Sequence, residues 1–190
     1  MNIRIALMSL AFFALTACHN KADFQNSEMK KPTPTQQKLL DEGWTTTTPN
    51  EDLTEEYGMK PVYGMQDNYF DITMGNGCNV AVKIMDLKTN RCIRYVYVAE
   101  NTTTTVPEIP QGIYYLKLAY GKDWMEYDRE NGKQGKFTRD AMYERSRDTF
   151  DFGVKNSRDE INYRLDINVV GSKLENNFRT VPIDERVFME

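Results

Sequence analysis

Residues 161–170 read INYRLDINVV. Ile161, Tyr163, Leu165, Ile167 and Val169 fall on one side of an extended chain, and Asn162, Arg164, Asp166 and Asn168 on the other. Successive side chains of a strand point to opposite faces, so this alternation predicts a strand with one buried face and one wet face, as antiparallel sheets carry. The same period runs through 78–86 (CNVAVKIMD), where Val80, Val82 and Ile84 alternate with Asn79, Ala81 and Lys83. Leu87-Lys88-Thr89-Asn90 reads as a turn, and 91–100 (RCIRYVYVAE) as the return strand, rich in β-branched and aromatic residues.

The pattern extends in both directions. Period two begins near Tyr69, and Gly75-Asn76-Gly77 is a turn with no phosphate-loop signature after it. Residues 102–106 form a short third strand, after which Pro107 and Pro110 interrupt the ladder because neither can donate a hydrogen bond. Residues 113–120 (IYYLKLAY) form a fourth, with Tyr114, Leu116 and Leu118 on one face; 147–152 is a fifth and 178–181 an edge strand, followed by a closing helical turn over 182–188. Six or seven short strands with frequent turn signals predict a mainly β domain, an antiparallel β-sandwich, over residues 67–190. Residues 138–145 (TRDAMYER) are read as its one short helix, and 121–136 (GKDWMEYDRENGKQGK) as a long polar loop.

Length and composition suit one such domain with an extension, at 190 residues and 40% hydrophobic content. A net charge of −4 leaves no basic footprint for nucleic acid. One histidine, His19, and three cysteines exclude a zinc finger, a two-histidine metal site and a histidine-dependent triad within the domain, so no metal is expected. The 28 carboxylates mark no catalytic pair and read as solvated surface charge. Glycoside hydrolysis needs only two carboxylates, so composition leaves a hydrolase with paired acids open, but with no pair marked the expectation is a protein that is not an enzyme.

The N-terminus carries a separate signal. Arg4 precedes an apolar run over residues 5–16 (IALMSLAFFALT), too short for a membrane-spanning helix of about 20 residues. Leu15-Thr16-Ala17-Cys18 follows. This resembles the lipobox of bacterial lipoproteins, which implies a signal peptide over 1–17, cleavage by signal peptidase II, and a diacylglycerol and an N-linked acyl chain such as palmitate on Cys18. The other reading is an ordinary secretory signal with a chance cysteine at its edge. Two or three acyl chains hold a protein on a bilayer where one does not. His19 is then a tether residue. It stands where aspartate would imply inner-membrane retention, so the outer membrane is expected, on the periplasmic face since 19–23 (HNKAD) is not an acidic export run.

Residues 18–66 lack sustained periodicity and are expected to be a flexible, disordered tether, with a helical turn or two over 36–43 (QQKLLDEG). Trp44, alone in this polar stretch, either packs onto the domain or hooks a partner.

Residues 106–117 (VPEIPQGIYYLK) are similar to the P-x-G-x-Y-x-L hairpin of carboxypeptidase-regulatory-like and transthyretin-like sandwiches, in which the glycine turns the chain and the tyrosine and leucine face the core. The stretch from Asp67-Asn68-Tyr69 to Phe137-Thr138-Arg139 resembles a group of uncharacterised Gram-negative lipoproteins. The resemblance implies an accessory module for structure or protein interaction, without cofactor, on a lipid-anchored envelope protein. A second expectation is carbohydrate binding by the 121–136 stretch, where Trp124 and Tyr127, flanked by Lys122 and Asp123, stack on a sugar ring or anchor an envelope partner. Alternatively, Trp124 folds back to cap the core.

A periplasmic address permits a disulfide, but the hairpin reading separates Cys78 and Cys92 by about seven residues of ladder, on the order of 20 Å, so a bridge would require a different strand arrangement. Both are read as buried free thiols without a base to activate them.

Overall fold

The computed structural model describes residues 31–153, 160–170 and 173–190. In chain order these form α1 (Pro34–Asp41), β1 (Thr45–Thr46), β2 (Tyr69–Met74), β3 (Asn79–Asp86), β4 (Cys92–Val98), β5 (Thr102–Val106), β6 (Ile113–Arg129), β7 (Gly132–Ser146), β8 (Phe150–Asp151), β9 (Asn162–Val170), β10 (Lys173–Asn176), β11 (Thr180–Pro182) and α2 (Glu185–Met189). The larger sheet runs β11-β7-β6-β3-β4, with β1 and β8 also pairing with β6; the smaller runs β10-β9-β2-β5. The chain is thus mainly β and built as a sandwich.

The alternation in the sequence builds the inner core. Phe70, Ile72 and Met74 of β2 and Leu165 and Ile167 of β9 meet Val80, Val82 and Ile84 of β3 and Leu116 and Leu118 of β6, all buried. The β3–β4 register places Met85 opposite Cys92 across a bulge, as the 87–90 turn predicts. One pairing departs from the antiparallel expectation: β9 runs parallel to β2, from Tyr69 opposite Asn162 to Met74 opposite Ile167. A parallel pair needs a long crossover rather than a hairpin. Here strands β3 to β8 supply it.

Two expectations about residues 121–146 are corrected. The polar 121–136 stretch is no loop, and 138–145 is no helix. Both belong to one long hairpin in which β6 and β7 pair from Lys117 opposite Arg145 to Arg129 opposite Gly132. Helix-favouring residues such as Ala141 and Met142 give way to the ladder and to packing on both faces, Met142 against the inner core and Tyr143 against the outer one. The register shifts between Tyr120 and Lys122, and Asp123 adopts a left-handed backbone with φ 55°. Gly121 permits the close approach, since a Cβ there would lie 2.6 Å from Phe137 Cβ. Such a bulge bends its strand. Beyond it, Trp124 and Phe137 pack on Tyr97 of β4, with ring centroids 5.8 and 6.1 Å away.

The tether boundary is also corrected. The compact unit begins at Pro32, not Asp67. α1 forms within the expected region, capped by Thr33 in a capping box with Gln36, and the left-handed Gly43 (φ 92°) follows its end. Thr45 and Thr46 pair with Glu126 and Met125. Leu53 N donates to Tyr95 O at 2.8 Å, and Tyr97 N to Glu51 O at 2.8 Å, so residues 51–53 occupy the free edge of β4. An uncovered edge exposes unpaired backbone groups, and this segment satisfies them. Leu53 is fully buried.

Truncating Leu53 to alanine is expected to lower the unfolding free energy by about 2–5 kcal/mol. Urea denaturation checks this; a tether residue would leave the midpoint unchanged.

Candidate functional site

The outer face of the larger sheet is not wet. Ala81 and Lys83 of β3, Tyr95 and Tyr97 of β4, and Lys117 and Ala119 of β6 point to it, and all six are buried. Lys83 stands opposite both Tyr95 and Lys117. α2 covers this region, with the Phe188 ring 6.1 Å from Tyr95 and 5.6 Å from Tyr143. Lys83 Nζ donates to Phe188 O at 2.7 Å and lies 4.9 Å from the Phe188 ring and 5.5 Å from that of Tyr95. Lys117 Nζ donates to Val187 O at 2.6 Å. Desolvation disfavours both ammoniums and brings the Lys83 amine down to about 8.

Beside Lys83 opens a cavity of about 710 Å³. Its walls are Tyr57 and Met59 from the N-terminal segment, Lys83 and Tyr95 from the sheet, residues 127–135 from the hairpin tip, and Met189 from α2. The hairpin tip is fastened to the N-terminal segment. Gly58 and Gly132 meet so closely that a Cβ on Gly58 would lie 2.0 Å from Asn131 O. Lys133 Nζ reaches Glu56 at 2.9 Å and the largely buried Glu126 at 3.3 Å. Tyr57 Oη donates to Glu126 Oε1 at 2.7 Å, and Trp124 Nε1 points at both, 3.2 Å from each. Burial, with the bond to Glu126, pushes the Tyr57 phenol far up and keeps it protonated.

The four candidate binding residues are not brought together. Trp124 is 2% exposed and caps the outer core, so it presents no ring for stacking on a sugar. Asp123 is tied to Arg139 (2.9 Å) and accepts from Gln36 Nε2 (3.1 Å). Lys122 stands half-buried opposite Arg139. Tyr127 alone of the four lines the cavity, and Trp44 packs against it at 5.6 Å, under Lys136. Trp44 therefore packs on the domain. Cys18 and His19 lie outside the described residues. Lys83, Tyr57, Tyr95 and Gln134, which line the cavity, were missed. Their signal was faint but present: of Asn79, Ala81, Lys83 and Met85 on the nominally wet side of 79–86, two are apolar.

Cys78 and Cys92 are free, Cys78 buried and Cys92 half-buried. Burial raises both thiols, that of Cys92 to about 11. Among the described residues, no group of three or more His, Cys, Asp or Glu side chains is placed to hold a metal, and no helix is long and apolar enough to cross a membrane. Compared with known proteins, the chain matches no family model, no curated protein and no solved structure.

The Lys83 shift fixes the sign of a pH effect. Its folded value, about 8, lies below that of an unfolded lysine, near 10.4, so the unfolded chain holds the extra proton between the two and the Lys83 contribution to stability rises with pH there. That contribution grows by up to about 3 kcal/mol, while the raised thiols of Cys78 and Cys92 pull the other way above pH ~8.5 and the tyrosines above pH ~10. Urea midpoints of wild type and K83M from pH 7.5 to 9.5 check this: their difference isolates the Lys83 contribution and should shift in favour of wild type as the pH rises.

The thiol shifts imply slow native alkylation. Iodoacetamide at pH 7.5 should modify Cys78 and Cys92 at least about 100-fold more slowly in the folded protein than in urea, as followed by mass spectrometry.

Proposed function

We propose that this chain is a lipid-anchored cell-envelope lipoprotein of the outer membrane, facing the periplasm, and that its β-sandwich is a non-enzymatic structural or protein-interaction module. The observation that carries the reading is Leu15-Thr16-Ala17-Cys18 directly after a short apolar run. The compact unit starts at Pro32, which leaves residues 19–31 between it and the acylated cysteine. Thirteen residues span at most about 45 Å when extended, so the module stays near the bilayer surface.

An accessory role fits the way the reactive side chains are used. The Lys83 ammonium anchors the Phe188 carbonyl of α2, Glu126 is locked between Tyr57 and Lys133, and neither thiol ionises near neutrality. The resemblance of 106–117 to transthyretin-like sandwiches supports the same role. A protein partner is favoured by Tyr63 and Met65, which stand 57% and 98% exposed on one short segment. Aromatic and methionine side chains are enriched at such contacts. No cofactor enters beyond the acyl chains on Cys18.

Cys18→Ala is expected to move the protein from the membrane to the soluble fraction, and mass spectrometry of the native N-terminal peptide to find residue 18 acylated. Unchanged membrane association of the variant, or a bare or uncut Cys18, would overturn the anchor.

A further inference from the structure

The cavity beside Lys83 holds two polar groups without full partners. Lys83 is 4% exposed, and its ammonium has one protein acceptor among the described residues, the Phe188 carbonyl. No described carboxylate lies within 4 Å of it. A buried ammonium without a counter-charge is costly, and ring faces and one carbonyl offset only part of that cost. Gln134, on the same wall, keeps its Oε1 out of solvent with no donor. The remaining lining near Lys83 is aromatic and thioether: Tyr57, Tyr95, Met59 and Met189. A volume of about 710 Å³ falls in the range of small-molecule sites.

We propose that this cavity binds a small amphiphilic carboxylate, whose anion takes the unused N–H groups of Lys83 and whose apolar body lies between Tyr57, Tyr95 and the two methionines. A monoanion matches the site better than a phosphate. Lys83 is the buried cation of the lining, and of the exposed charges at 128–130 the carboxylates of Asp128 and Glu130 outnumber the guanidinium of Arg129, which opposes a second negative charge. Lys133, the other lysine of the lining, is already neutralised by Glu56 and Glu126. The Gln134 amide presents an oxygen or, rotated, its NH2 to the ligand. This inference goes beyond the accessory role and does not depend on the lipid anchor.

The probe is 3-phenylpropanoate, with neutral 3-phenylpropanol as its control, in equilibrium dialysis of the full chain in detergent micelles against micelles alone. Saturable one-to-one binding of the carboxylate is expected, with the alcohol at least about 10-fold weaker, since a hydrogen bond to a charged group is worth about that much. K83M should lose the same factor. Met59→Trp, which leaves the Lys83 amine in place and fills the cavity, should also abolish binding. Equal binding of acid and alcohol, equal binding to wild type and both variants, or no saturable binding within the probe's solubility would each overturn the proposal. Membrane release by Cys18→Ala reads the anchor separately.

Discussion

At β3, β4 and the first part of β6 the larger sheet buries both of its faces, and among the outer-face residues two lysines stand side by side on neighbouring strands. Like charges directly opposite in a sheet repel, and a buried ammonium without an acceptor is worse. α2 resolves both. The last carbonyls of a helix have no donor within it and carry the negative end of its dipole, and here Val187 O and Phe188 O receive the two ammoniums. Phe188, fully buried, then roofs the lysine that binds its own carbonyl. A five-residue helix has little stability alone. Its geometry is borrowed from the sheet, and the sheet's outer face is made habitable by the helix.

The N-terminal segment and the bent hairpin complete the cover. The hairpin turns at Gly121 and Asp123, so that Trp124 and Phe137 land on Tyr97, while Leu53 fills the space beneath Tyr95 and Tyr57 stands edge-on to it at 5.2 Å. The two covering pieces then hold each other through the Gly58–Gly132 contact and the Glu56–Lys133 and Tyr57–Glu126 bonds. The cavity is the space these pieces leave above Lys83. It exists because cover supplied by separate segments does not close as tightly as a strand ladder.

What was legible in the sequence follows the same division. Strands facing the inner core against a polar or edge position show period two, and residues 79–86, 92–98, 102–106 and 162–170 were read accordingly. Residues 121–146 were not, because a bulge shifts the register and breaks the alternation, and because β7 is buried unevenly along its length. The N-terminal segment looked like a tether because its contacts are with distant residues: Leu53 is one leucine in a polar run, yet it sits at 0% exposure beneath Tyr95. The site was hidden for a related reason. With one face assumed wet, Lys83 read as solvated. Ala81 beside it, and Tyr95 and Tyr97 across from it, were the evidence that this face is covered.

The two faces also differ in what they cost. The inner core is aliphatic and aromatic, with Arg94 at its margin, its guanidinium bonded to Val62 O and Ile93 O beneath the Tyr63 ring. The outer face buries Lys83, Lys117 and Glu126. Replacing buried charges by apolar residues of similar volume is often neutral or stabilising. A methionine at position 83 would fill the same space without desolving an ammonium, so burial alone gives no reason for the lysine. The ammonium adds direction. It fixes where the carbonyls of α2 sit, hence where Met189 closes the cavity wall, and it sets a buried positive charge beside the Tyr57, Tyr95, Met59 and Met189 side chains of that space. The polar groups of the outer face thus define a shape and a charge that a purely apolar cover would not.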